Sequence, residues 1–194
     1  ILDFGVNNIK SLVSFFNLFG KVNLVDDYKN FNIDSEVLII PGNGSFGQGI
    51  DTLKKKNFKK IILDSQRKKK IIGICLGMQV FFESSEENKG TNGLGIIKGS
   101  VSKIKSSEYK TPLLGWYDIN FLNNDMKRAS FYFNNGFSVV PDDKTIIKGA
   151  IIHDNNKSIV AMVKKNNIYG LQFHPEKSSH NGNLLISKIL SNEL

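Results

Sequence analysis

Two runs constrain this chain more than anything else in it. Val37-Leu38-Ile39-Ile40 and Ile71-Ile72-Gly73-Ile74 contain no polar side chain. Successive strand residues point to opposite faces, so a strand that is apolar throughout must be covered on both sides. The simplest fold that does this is a parallel sheet with helices above and below. The flanking sequence agrees. Ile1–Phe4 and Val22–Val25 read as further short strands. Asn8–Phe19 reads as a helix with Ile9, Leu12, Val13, Phe16 and Phe19 on one side, and Phe46–Gln66 as mostly helix. Alternation of strand and helix is the signature of an α/β fold.

After residue 95 the pattern changes. Ile96–Ile104, Gly115–Asn120, Phe131–Val140, Ile146–Ile152, Ser158–Val163 and Ile168–Phe173 all read as strands, with turns such as Pro141-Asp142-Asp143 between them. A last helix is expected from about Gly182 to Leu190. With no linker, repeat or low-complexity segment, residues 1–194 are expected to form one α/β domain. Its sheet is mostly parallel and flanked by helices, in the flavodoxin-like manner, with an antiparallel elaboration.

Composition matters mainly for what it excludes. At 40% hydrophobic and 23% charged residues the chain is ordinary for a globular protein. No apolar run approaches the roughly 20 residues of a membrane helix, so no membrane partner is expected. One cysteine cannot make an internal disulfide and shows no zinc-ligand spacing, which points to a reducing cytoplasm and no metal. The net charge of +8 gathers in Lys54-Lys55-Lys56, Lys59-Lys60 and Arg67-Lys68-Lys69-Lys70. Ile50, Leu53, Phe58, Ile61 and Ile62 interleave at helical spacing, so the lysines read as the wet face of a helix rather than a nucleic-acid surface, which would add aromatic rings for stacking.

That single cysteine lies in Gly73-Ile74-Cys75-Leu76-Gly77, where an apolar strand meets a helix. A nucleophile on such a tight turn is exposed at the carboxyl end of a sheet, where ligands of these folds bind. Small neighbours are required because the backbone bends sharply and packs closely, as in the serine elbow of hydrolases. The amino end of the following helix favours thiolate over thiol. The bland alternative is a buried structural cysteine.

A thiolate wants a base and the base an orienter. Of His153, His174 and His180, only His174 has a carboxylate in register, in Gln172-Phe173-His174-Pro175-Glu176. His153 and His180 are expected in polar loops. Oxyanion donors are expected from Pro41-Gly42-Asn43-Gly44-Ser45-Phe46-Gly47, which lacks the ending of a nucleotide P-loop, with the Leu76 N–H as second donor.

Gly73-Ile74-Cys75-Leu76-Gly77-Met78-Gln79 and Gln172-Phe173-His174-Pro175-Glu176, about a hundred residues apart in that order, resemble the two motifs of the class I (triad) glutamine amidotransferases. Asp3-x-Gly5-x-x-Asn8, Pro41-Gly42-x-Gly44-x-Phe46-Gly47, Gly115-Trp116 and His174-Pro175-Glu176-Lys177-Ser178 narrow the resemblance to the glutaminase subunits of imidazole glycerol phosphate synthase, over essentially the whole chain. The resemblance implies that Cys75 attacks the side-chain amide of L-glutamine, that His174 relays protons and that Glu176 orients it. It implies oxyanion donors at Asn43 or Gly44 and at Leu76. Gly44, Gln79 and Glu87 match glutamine-binding positions, and Asn8, Tyr132 and Lys177 match positions at the surface of a HisF-like (β/α)8 barrel cyclase. No cofactor is implied. The resemblance further implies that ammonia passes to that barrel for imidazole glycerol phosphate synthesis in histidine biosynthesis.

Two stretches depart from the pattern. Asn135 and Gly136 stand where the family has a His-Ser pair lining the glutamine site, and Leu114 stands where it has a histidine before Gly-Trp. A paralogue supplying ammonia for amidation of a bacterial surface sugar is therefore the alternative. From other classes, a basic binding module leaves His174 and Glu176 incidental, and a redox protein with an elbow cysteine gives no reason for His-Pro-Glu.

Overall fold

In the computed structural model, which describes residues 1–5, 8–122, 126–153 and 157–194, both apolar runs become neighbouring strands. They are β1 (Val37–Ile40) and β2 (Lys70–Ile74), paired in parallel from Val37↔Lys70 to Ile40↔Gly73. The remaining strands are β3 (Ser84–Ser85), β4 (Gly99–Lys103), β5 (Leu113–Phe121), β6 (Arg128–Asn135), β7 (Phe137–Pro141), β8 (Ile147–His153), β9 (Lys157–Lys165) and β10 (Ile168–Leu171). The helices are α1 (Ile9–Phe16), α2 (Phe46–Lys55), α3 (Phe58–Ser65), α4 (Leu76–Gln79) and α5 (Ser179–Leu190).

A seven-stranded sheet runs β1-β2-β10-β9-β8-β5-β6, and a three-stranded one runs β3-β4-β7. In the larger sheet β1, β2 and β10 are parallel and the other neighbours antiparallel. The sheet is thus mixed rather than mostly parallel as expected, with two parallel and four antiparallel pairs, because the strands after residue 95 follow one another without crossover helices; the parallel part carries the elbow.

Alternate residues feed two cores. Ile72 and Ile74 join Leu12, Phe15 and Phe16 of α1 and Leu185, Ile186 and Ile189 of α5. Leu38, Ile40 and Ile71 join Phe46, Ile50 and Leu53 of α2 and Phe58, Ile61 and Ile62 of α3. At about 1.5–3 kcal/mol for each buried aliphatic or aromatic side chain, a one-residue slip of β2 would exchange both sets and is strongly disfavoured. The slip would also bring a side chain to the place of Gly73, where an added Cβ would lie 2.4 Å from the Gly77 carbonyl oxygen. No helix among the described residues is long and apolar enough to cross a membrane.

Several expected boundaries move for identifiable reasons. Ile1–Phe4 and Val22–Val25 form a single bridge, Leu2↔Val25, rather than two strands. They are extended and hydrogen-bonded, Leu2 N to Ile39 O at 3.0 Å and Asp3 N to Val25 O at 2.7 Å, but too short for a ladder. The expected Phe46–Gln66 helix breaks in two at Asn57, which takes a left-handed φ of 56°, a conformation that asparagine tolerates. Phe131–Val140 is not one strand: Gly136 separates β6 from β7, which belong to different sheets. His153 ends strand β8 and His180 lies exposed in the first turn of α5, so neither is in a loop. Residues 154–156, next to His153, lie outside the described residues.

Candidate active site

β1, β2 and β10 end at the same edge, and each delivers one part of the site. From β2 the chain turns at Cys75, whose φ of 53° and ψ of −111° are rare for a residue with a side chain. Such a conformation costs about 1–3 kcal/mol and persists only where the surroundings enforce it. Three glycines do so here. A Cβ on Gly77 would lie 1.9 Å from Ile40 O, one on Gly42 would lie 2.3 Å from the Leu76 Cβ, and one on Gly73 would strike Gly77 as described above. The end of β1 and the start of α4 thus touch backbone to backbone, which answers why a lone cysteine is held between glycines. The helix that follows is a single turn, Leu76–Gln79, so its dipole adds less at the sulfur than the sequence led us to expect.

From β10 the chain runs on through Gln172 and Phe173 to His174. Alternation sends Phe173 into the core against Phe131, at 4.3 Å between ring centroids, and Gln172 and His174 to the other side, beside the sulfur. The Gln172 amide approaches Cys75 Sγ at 3.7 Å. His174 is 2% exposed. Its Nδ1 pairs with Glu176 Oε1 at 2.9 Å, and Cys75 also acts on the ring. Burial is the largest single influence on the imidazole and opposes its charged form. Hydrogen bonds and charge from Cys75 and Glu176 outweigh it and push the His174 pKa up to about 10. At neutral pH the ring therefore carries its proton between sulfur and carboxylate.

β6 braces this turn. His174 N donates to Tyr132 O at 2.9 Å. The Ser178 hydroxyl donates to His174 O at 2.6 Å and accepts from Tyr132 N at 3.0 Å. Tyr132 carries Lys177 over its ring at 5.5 Å and meets Trp116 edge-on at 6.3 Å. Asn8 donates to Glu176 Oε1 at 3.1 Å. Asn8, Tyr132 and Lys177 are thus brought together around Glu176. Leu114 and Trp116, 63% and 53% exposed, extend the same neighbourhood as an apolar surface.

From β1 comes the turn Pro41-Gly42-Asn43-Gly44, where Gly44 has a φ of +117°. It runs into α2, whose start is held from three sides. Ser45 and Gln48 form a capping box, Phe46 N donates to Glu87 Oε2 at 2.7 Å, and Gly47 N donates to Asn88 Oδ1 at 2.8 Å. Asn43, Gly44 and Leu76 border one cavity of about 410 Å³ with Phe4, Gly5 and Gln48. The triad residues do not line it. A larger cavity of about 540 Å³ lies at the opposite end of the strands, beside Val37 and Lys70.

Gln79 is buried beneath the elbow and donates to Gln172 Oε1 and Phe137 O, each at 3.2 Å. Asn135 donates to the same Phe137 oxygen at 2.9 Å, and its own Oδ1 is buried without a partner among the described residues. A Cβ on Gly136 would meet only Pro112 Cβ, at 3.8 Å, so a serine fits there. Asn135→His with Gly136→Ser is accordingly expected to lower the KM for glutamine severalfold, with kcat changed less. An equal or higher KM would show that this crossing between sheets serves some other contact.

Gln172, Ser178 and the Asn8–Glu176 bond were not singled out from the sequence. Strand alternation around His174 gives Gln172, but nothing local marks the other two.

A cysteine on a strand-to-helix elbow with a buried histidine–glutamate pair beside it occurs in more than one family, so similarity decides between them. The glutamine amidotransferase class-I family model matches residues 1–191. The chain is a class I glutamine amidotransferase of the HisH family. It is 33% identical to imidazole glycerol phosphate synthase subunit HisH of Pelagibacter ubique, over 98% of each chain. It is 34% identical to subunit HisH 1 of Methanococcus maripaludis, over 98% of this chain and 97% of that one. These relatives lend no support to the sugar-amidation alternative. Among solved structures, a glutamine amidotransferase superposes with a TM-score of 0.74 at 11% identity, covering 95% of this chain and 94% of that one. A glutamine amidotransferase of Thermotoga maritima gives 0.59 at 14%, covering 96% and 77%. At these identities the likeness is one of fold, and the fold is that of class I amidotransferases.

Proposed function

We propose that this HisH-family chain is the glutaminase subunit of an imidazole glycerol phosphate synthase and that it works on Cys75, His174 and Glu176. The observation that carries the reading is the water-excluded line from Cys75 through His174 to Glu176, whose side chain is fully buried.

The chemistry follows from the positions. The Cys75 thiolate attacks the side-chain carbonyl carbon of L-glutamine. The oxygen that becomes an anion is met by N–H groups of Leu76 and of Asn43 or Gly44, fixed before the charge appears. His174 gives its proton to the departing nitrogen, which leaves as ammonia, and a glutamyl thioester remains. His174 then takes a proton from water, the hydroxide displaces sulfur, and glutamate leaves. Glu176 holds the imidazole in the tautomer that this requires and stabilises its charge. Gln79, Glu87, Asn135 and Gly136 are assigned to the glutamine pocket.

Ammonia is delivered, in this reading, to a HisF-like (β/α)8 barrel docked on the surface around Asn8, Tyr132 and Lys177, with Trp116 and Leu114 supplying apolar area. An exposed tryptophan beside a tyrosine suits a protein interface.

The test is glutamine hydrolysis by the chain alone, with the barrel, and with the barrel plus its nucleotide ligand. The isolated chain is expected to be nearly silent and the ternary mixture at least severalfold faster. Lys177→Ala is expected to weaken that stimulation while Cys75 remains alkylatable. Full activity from the isolated chain, indifferent to any barrel, would refute the partnership.

A further inference from the structure

The opening motif Asp3-x-Gly5-x-x-Asn8 has a local logic that ends inside the triad. Asp3 Oδ1 accepts from Gly5 N at 2.8 Å, and Gly5 takes the left-handed φ of +70° that this turn needs. Lys56, at the break between α2 and α3, donates to the Asp3 carbonyl at 2.6 Å and fixes the turn from below. Asn8 stands at the position before the first turn of α1.

An asparagine there ordinarily accepts from a backbone N–H of the helix. Here it makes no such bond. Its amide nitrogen instead donates to Glu176 Oε1, across 168 residues of sequence. The opposite amide orientation would set Oδ1 against the carboxylate, oxygen to oxygen, so the carboxylate itself selects the donor. Glu176 Oε1 carries both of the carboxylate's hydrogen bonds, from Asn8 and from His174, while Oε2 is buried without a partner among the described residues. Without Asn8 the imidazole that Glu176 must orient is also its remaining anchor.

We infer that Asn8 is a positioning residue of the triad: its side-chain amide fixes the Glu176 carboxylate and thereby aims His174 at Cys75. This rests on the glutaminase reading above and adds a fourth member to its hydrogen-bonded line. The helix forgoes a side-chain cap to provide it.

The experiment uses the chain assembled with a saturating amount of its barrel subunit. Asn8→Ala is expected to lower kcat for glutamine about ten- to a hundredfold, the range for a lost hydrogen bond to a charged group, with KM within about twofold. Asn8→Ser separates positioning from helix stability, because serine is a good cap but too short to reach Glu176. Positioning predicts that serine is as poor as alanine while melting no lower than wild type. A merely structural role predicts recovery with serine, and that result overturns the inference. In a Glu176→Ala background, Asn8→Ala is expected to cost less than about twofold more, because it acts through the missing carboxylate. Additive losses overturn it, as does a defect that vanishes at high barrel concentration. Wild-type complex that is active with ammonium but inactive with glutamine would sink the glutaminase reading as well, whereas an active wild type with an unaffected Asn8→Ala variant sinks only this inference.

Discussion

Cys75→Ser is expected to lower glutamine-dependent turnover of the assembled enzyme by a thousandfold or more, on the order seen when a triad nucleophile is removed, and to leave ammonium-dependent turnover largely intact. The asymmetry follows from the division of labour. A hydroxyl at residue 75 has the shape of the thiol but is a far weaker acid and a poorer nucleophile. In the proposed complex the barrel's step consumes ammonia, whatever its source. Parallel assays with glutamine and with ammonium chloride check this. Loss of both activities in an intact complex would remove Cys75 from its role.

His174→Ala is expected to cost a comparable amount, roughly a thousandfold or more, and Glu176→Ala distinctly less, because in the proposed mechanism the imidazole moves protons in both half-reactions while the carboxylate orients and stabilises it. The double variant is expected to lie close to His174→Ala alone, since an orienter without its base has nothing to orient. Single-turnover hydrolysis together with alkylation by the diazoketone analogue of glutamine gives the ranking. A crippled His153→Ala beside an active His174→Ala would show that the wrong histidine had been named.

The elements legible in advance were those whose physics is local. Val37–Ile40 and Ile71–Ile74 announce central strands because no surface position tolerates eight such residues. Cys75 between glycines announces an elbow, and His174 with Glu176 announces its base. What escaped depends on distant partners. Gly136 looks like any residue inside a strand, yet the chain changes sheets there, which only the separate pairing of β6 and β7 reveals. The break at Asn57 needs one residue in a left-handed conformation that propensity does not dictate. Glu87 was singled out as a ligand of glutamine. The structure adds that it holds the Phe46 N–H, a contact between segments 41 residues apart that no window on the sequence contains.

The glycine interlock at the elbow has a mechanical consequence for the turn that follows β1. Gly42 is clamped between Leu76 and Gly77, and the start of α2 is clamped by Glu87 and Asn88. Asn43 and Gly44 lie between these two fixed ends. A rearrangement there cannot spread in either direction without breaking a close backbone contact or a helix cap. It is confined to rotation of one or two peptide planes, with Gly44 as the residue that can absorb it. Any movement of this turn is thus confined to where one or two N–H groups point, on a frame that stays still.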